Sequence, residues 1–239
     1  MSEDLEQTPQ PSEAVRWEKN TRLMRLGVVL ATALLLLYNV LLFLPARWDN
    51  NEGQLSSLVG FVVFFVLTLL LVFLCIRNYS RGLSRFATLF ERGGKRSLFL
   101  LRWGFWLTIA GVALQLLIFF MIVRSAEHVT FWWIVIGNVL LIAATIVSIV
   151  GFLALATSKG MPDDARRGAA HMAWVSPLLL VGACLLSFAV LPHEQGGTML
   201  KGLALVVNLI GTYFYYTNWK RLLNYQEPEA EIIDGEAVQ

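Results

Sequence analysis

Four amides lie inside long apolar runs of this chain: Asn39, Gln115, Asn138 and Asn208. A carboxamide offers two donors and an acceptor, and in hydrocarbon no water is present to satisfy them. Each must find a partner on another helix, worth about 0.6–2 kcal/mol per hydrogen bond, or on a bound molecule. The first outcome makes them packing devices. The second makes them the lining of a polar pocket, open to the outer side, where a substrate or a lipid headgroup would sit.

Other candidate chemistry is weaker. Glu127-His128 and His193-Glu194, with Asp49 and Glu52, fall in short loops on one side. Imidazole and carboxylate bind zinc, but no H-E-x-x-H type of spacing gathers them, and they read as solvated loop residues. Ser148, Ser176 and Ser187 have no histidine at their depth, so no nucleophile and base share a site. The three histidines, His128, His171 and His193, stand at or beyond the ends of apolar runs, a poor arrangement for haem ligation. Gly93-Gly94 and Gly196-Gly197 read as turns, not phosphate loops. No Asp, Glu, Lys or His lies deep in an apolar run, and such groups are the usual mark of proton relays and ion-coupled transport. The expectation is a protein without catalysis, metal or cofactor.

The elements that must position the amides are six. The chain has 239 residues, is 56% hydrophobic and only 15% charged, where soluble domains carry about 25%. Apolar runs over about 26–44, 58–76, 97–123, 131–157, 173–192 and 202–217 are long enough to cross a bilayer core of about 30 Å. The predicted fold is all-α, a polytopic membrane bundle of six transmembrane helices. Residues 1–25 form a mostly disordered tail with Trp17 at headgroup level, residues 26–223 the membrane domain, and 224–239 an acidic tail.

Orientation comes from charge. Net charge is +2, which gives no case for nucleic acid, but sixteen of the nineteen Lys and Arg residues fall on one side of the predicted bundle. Arg77 to Trp103 alone carries seven. The excess places that side, and both termini, in the cytoplasm. The expected location is a bacterial inner membrane, with an uncleaved first span.

Within the basic loop, Leu83, Phe86 and Phe90 recur at helical spacing opposite Arg77, Arg81 and Arg85. That pattern predicts a short amphipathic helix on the inner leaflet. Arg77, Arg81, Arg85, Arg92, Lys95 and Arg96 are candidates for docking anionic lipids or a membrane or cytoplasmic protein partner. Cys75 and Cys184 read as free, buried thiols.

Small and polar residues at helical spacing mark Gly104, Thr108, Gly111 and Gln115 in span 3, Gly137, Ala144, Ser148 and Gly151 in span 4, and Ala204, Asn208, Gly211 and Tyr215 in span 6. Such stripes predict that these three spans form the packed centre, with span 2 facing lipid. Two hairpins also look alike: spans 1 and 5 end in Leu-Pro, and spans 2 and 6 exit through Asn78-Tyr79-Ser80-Arg81-Gly82-Leu83 and Asn218-Trp219-Lys220-Arg221-Leu222-Leu223. The functional expectation is an accessory or interaction subunit of a membrane complex. The alternative is a small transporter or lipid-handling protein. Reporters fused at His193 and at Gln239 should report opposite faces of the membrane; the same face for both would break the six-span topology.

Overall fold

A computed structural model describes residues 13–41, 54–122, 127–159, 161–189 and 196–224. They form six helices: α1 (Glu13–Leu41), α2 (Gln54–Phe86), α3 (Arg92–Ile122), α4 (Glu127–Ala156), α5 (Asp163–Ala189) and α6 (Gly196–Leu223), and no strand appears among them. All six are long and apolar enough to span a membrane. The helices exceed the apolar runs because polar flanks at the basic end continue them. Asp163 and Asp164 sit in the first turn of α5, where the helix dipole favours anions, and Arg166 reaches back to Asp163 at 3.3 Å.

The helices are arranged as a ring in the order α2–α1–α6–α5–α4–α3. The closest pairings are α3 with α4, α5 with α6 and α1 with α2. Although α2 and α3 are consecutive in the chain, they share fewer contacts than any other neighbouring helices of the ring. A seam therefore runs between them.

Close approach rests on missing side chains. A Cβ on Gly27 would lie 2.8 Å from the backbone of Tyr79, and one on Gly82 would lie 2.6 Å from the backbone nitrogen of Met24, so α1 and α2 touch main chain to main chain. The stripes of spans 3 and 4 do meet each other: Gly104 faces Ser148, Gly111 faces Leu141 and Gly151 faces Leu101. The stripe of span 6 does not join them. Gly211 packs on Leu179, and Asn208 lies over Gly182, both on α5. The expected three-helix centre is replaced by pairwise seams around a lumen. Span 2 does turn a broad apolar face outward, with Val66, Leu67, Leu69, Leu70 and Phe73 all exposed.

The tightest core lies at the basic end. It joins Trp17, Met24, Tyr79, Leu83, Phe86, Phe90, Leu98, Phe152, Leu155, Met172, Trp219 and Leu222. Trp17, expected at headgroup level, is buried in this core. Its indole N–H donates to the Leu223 carbonyl at 3.0 Å, and Arg25 donates to the same oxygen at 3.1 Å. These bonds satisfy a carbonyl that the end of α6 leaves open, and they tie the first helix to the last. Phe86 and Phe90 meet the Trp17 ring edge-on at 5.3 and 5.9 Å.

Two expectations change here. The segment after Arg77 is not a separate surface helix, since α2 continues unbroken to Phe86 and a short 3-10 turn over Ala87–Leu89 follows. Its apolar face (Leu83, Phe86, Phe90) is spent on the core and so is not left for the leaflet. Residues 13–25, expected within a mostly disordered tail, are part of α1; residues 1–12 and the acidic 225–239 lie outside the described residues.

The two hairpins share local geometry. Asn78 and Asn218 are both buried, and each returns its amide to the carbonyl four residues earlier, Leu74 at 2.8 Å and Phe214 at 2.9 Å. Each asparagine has a glycine against it on the paired helix, Gly27 at Asn78 and Gly168 at Asn218. The aromatics that follow, Tyr79 and Trp219, meet edge-on with centroids 5.8 Å apart.

Substitution tests the seams directly. Gly82→Val should cost about 2–3 kcal/mol by overpacking and lower the detergent melting temperature. Gly93→Ala, where nothing lies within 4 Å of the added carbon, should leave it unchanged or raise it slightly.

Candidate functional site: an intramembrane cavity

The ring encloses a cavity of about 350 Å³, lined by residues from all six helices. This falls in the range of small-molecule sites, about 300–1,000 Å³. Its walls are mostly aliphatic, and among the described residues no Asp, Glu, Lys, Arg or His contributes to them.

Aromatic rings close it toward the basic end. Tyr79 stacks on Phe105 with centroids 4.2 Å apart. Trp219, fully buried, receives Tyr79, Phe152 and Tyr215 around it at 5.8, 5.5 and 6.4 Å. Tyr79, Phe105, Phe152 and Tyr215 all face the cavity as well. These rings bridge α2, α3, α4 and α6 and form a floor. On one flank the wall is the α2–α3 seam. Thr108 and Ala113 of α3 line the cavity there yet are exposed rather than buried.

The four predicted amides divide. Asn138 is a packing residue: its Nδ2 donates to Ser187 Oγ at 3.1 Å, joining α4 to α5, while the Ser187 hydroxyl is also 2.8 Å from the Cys184 carbonyl. Asn39 and Asn208 line the cavity instead. Asn39 donates to its own Leu35 carbonyl at 2.7 Å, which leaves its Oδ1 buried without a partner. Asn208 leaves its Nδ2 in the same condition. The side chain of Gln115 lies outside the described residues. Neither asparagine is near the floor. Asn208 stands fifteen residues before Leu223 and Asn39 twenty-two beyond Trp17, about 22 and 33 Å along their helices.

Hydroxyls in the wall are differently placed. Thr108, Thr145 and Ser176 each donate to the carbonyl four residues back, at 2.9, 2.8 and 3.0 Å. Cys75 also lines the cavity, with its sulfur 3.8 Å from the Gly27 carbonyl; both cysteines are free.

The basic residues stand apart from this site. Arg77, Arg81, Arg85, Arg92, Lys95 and Arg96 are all exposed at the basic end, and none is ion-paired among the described residues. The loop residues Asp49, Glu52 and His193-Glu194 lie outside the described residues, as do the side chains of Glu127 and His128, and His171 is exposed.

Sequence reasoning missed the floor. Tyr79 and Trp219 read as interfacial aromatics because each adjoins a basic residue or a span end; the signal that was present is the shared Asn-aromatic pair, which sets both rings on the inner face. Truncating Trp219 to Ala should cost about 3–5 kcal/mol, whereas Asn138→Leu together with Ser187→Ala should reveal a coupling of only about 0.6–2 kcal/mol in a double-mutant cycle. No protein-family model, curated protein or solved structure matches the chain.

Proposed function

We propose that this is a non-enzymatic protein of a bacterial inner membrane that holds a lipid-like molecule inside the bilayer, with its basic end and both termini in the cytoplasm. The observation that carries the reading is the cavity: large enough for a ligand, apolar, with no Asp, Glu, Lys, Arg or His among the described residues that line it, floored by aromatics and flanked by a loosely sealed helix seam. An apolar molecule in the surrounding leaflet meets no water on a path through such a seam. The aromatic floor disfavours passage through to the basic side, so binding or presentation within the membrane fits better than channel-like transport.

The charge asymmetry supports the orientation. It also supports a role for the basic end, where each Lys or Arg near an anionic surface contributes about 1 kcal/mol. The exposed row Arg77, Arg81 and Arg85, together with Arg92, Lys95 and Arg96, favours a second reading as an accessory subunit that docks an acidic partner. Both readings need no catalysis.

Purification in mild detergent followed by lipid extraction and mass spectrometry distinguishes them. Wild type should carry close to one tightly held apolar molecule per chain. Ala31→Phe and Thr145→Phe, which fill the cavity from α1 and α4, should lose it while remaining monodisperse. Equal lipid content in wild type and both variants would refute cavity binding. Loss of a co-purifying protein on neutralising Arg81 and Arg85 would instead support the accessory reading.

A further inference from the structure

The chain leaves the bundle within the core of its basic end. The Asn224 amide closes α6 on the Lys220 and Arg221 carbonyls at 3.1 and 3.3 Å. One residue earlier, Leu223 is buried, and its carbonyl is held by Trp17 and Arg25 of α1. Arg22 stands three residues before Arg25 and so shares the edge of α1 that meets α6; it is exposed, and Arg25 is half-buried. Lys220 and Arg221 add exposed charge on α6 itself. Gly168 brings α5 against Asn218, Leu222 and Arg221, and with it the exposed Arg167. Glu18 lies on the same edge of α1 and offsets part of this charge.

Across the whole basic end, sixteen Lys and Arg residues stand against four carboxylates whose side chains are described: Glu18, Glu91, Asp163 and Asp164. Membrane orientation accounts for positive charge on that side, but Asp and Glu contribute little to it. The sign of the segment after Asn224 therefore has no topological reason. It carries Glu227, Glu229, Glu231, Asp234 and Glu236 and no Lys or Arg.

Reach agrees with charge. Glu227 is four residues past Leu223 and lies at most about 14 Å from it, while packed helix axes are about 8–10 Å apart. The first acid can therefore meet Arg22 or Arg25. Glu236, thirteen residues past Leu223, can extend about 45 Å, far enough for any basic residue at this end. The N-terminal acids Glu3, Asp4 and Glu6 start instead from Glu13, about 18 Å of helix rise away from Arg25. Single exposed ion pairs are weak, but a short tether holds its charges at an effective concentration of about millimolar.

We propose that the acidic segment 225–239 docks on the basic end of its own chain, with its first acids at Arg22 and Arg25 between α1 and α6, and so covers a surface that would otherwise take anionic lipid or an acidic protein. This is independent of the cavity and of what the cavity holds.

Electron-electron distance measurement on the full chain tests it. Spin labels at Val15→Cys and Ala230→Cys, in a Cys75→Ala, Cys184→Ala background, report the position of the tail against the first turn of α1. In mild detergent at about 50 mM salt the distance distribution should be narrow. At about 1 M salt, where the screening length falls to about 3 Å, it should broaden at least about twofold. Glu227→Gln, Glu229→Gln and Glu231→Gln together should give the broad distribution at low salt. Arg22→Gln, Lys220→Gln and Arg221→Gln together should do the same without lowering the melting temperature, which a merely structural role would lower. If that basic-end variant fails to fold, the tail variant decides, since it changes only residues beyond α6. A broad distribution at low salt, or one indifferent to salt and to the tail substitutions, would overturn the proposal. A short distance between singly labelled chains in a mixture would assign the tail to a second copy and overturn docking in cis. A distribution narrow in nanodiscs of neutral lipid but broad in nanodiscs of anionic lipid would give the surface to lipid and also overturn it.

Discussion

Lipid tails are as apolar as leucine, so burying leucine between helices gains little over leaving it in the bilayer. The structure depends on what remains: close main-chain approach, satisfied polar groups and aromatic contacts. Each seam of the ring can be traced to one of these. Glycine brings α1 onto α2 and α3 onto α4. Asn138 and Ser187 bridge α4 and α5. Asn208 over Gly182 and Gly168 against Asn218 settle α5 on α6. Trp17 and Arg25 close α6 onto α1 through a single carbonyl. Among the described residues the α2–α3 seam has the stacked pair Tyr79 and Phe105 and little else, and the cavity-lining Thr108 and Ala113 of α3 are exposed.

The same constraint explains what could be read from the chain. Six spans were legible because hydropathy over twenty residues is a bulk property. The small-residue stripes of spans 3 and 4 were legible too, since glycine and alanine at helical offsets have no other use in lipid. Which stripes face each other was not. Asn208 and Gly211 form a good stripe whether they meet α3 or α5, and only the ring order decides. Trp17 illustrates the opposite failure. Beside arginine and lysine it carries the signature of an interfacial anchor, but its N–H is needed by a helix end 206 residues away. Leu83, Phe86 and Phe90 had the right periodicity for an amphipathic helix. Periodicity identifies an apolar face without identifying what covers it.

The candidate site was half legible. Four amides stood out, and the choice between packing pairs and pocket lining was sharp, yet the answer differs from one residue to the next. Asn138 has a serine within reach and Asn39 and Asn208 have none. That difference lies in three dimensions, between residues far apart in sequence. The aromatic floor escaped for a similar reason, since it is assembled from α2, α3, α4 and α6, each contributing one or two rings with no local pattern of their own.

The bond between Trp17 and Leu223 has a consequence for how the protein is made. Trp17 enters the membrane with the first helix, and its acceptor is synthesised last. Helical hairpins can pair as they emerge, α1 with α2 and α3 with α4, but the ring has no way to close until α6 is complete. Until then the indole, the Arg25 guanidinium and the aromatic floor lack the partner that α6 supplies. Biogenesis of this chain therefore ends in a single late step, and a nascent protein halted before Leu223 presents an open set of hairpins to whatever surveys the membrane for unfinished proteins.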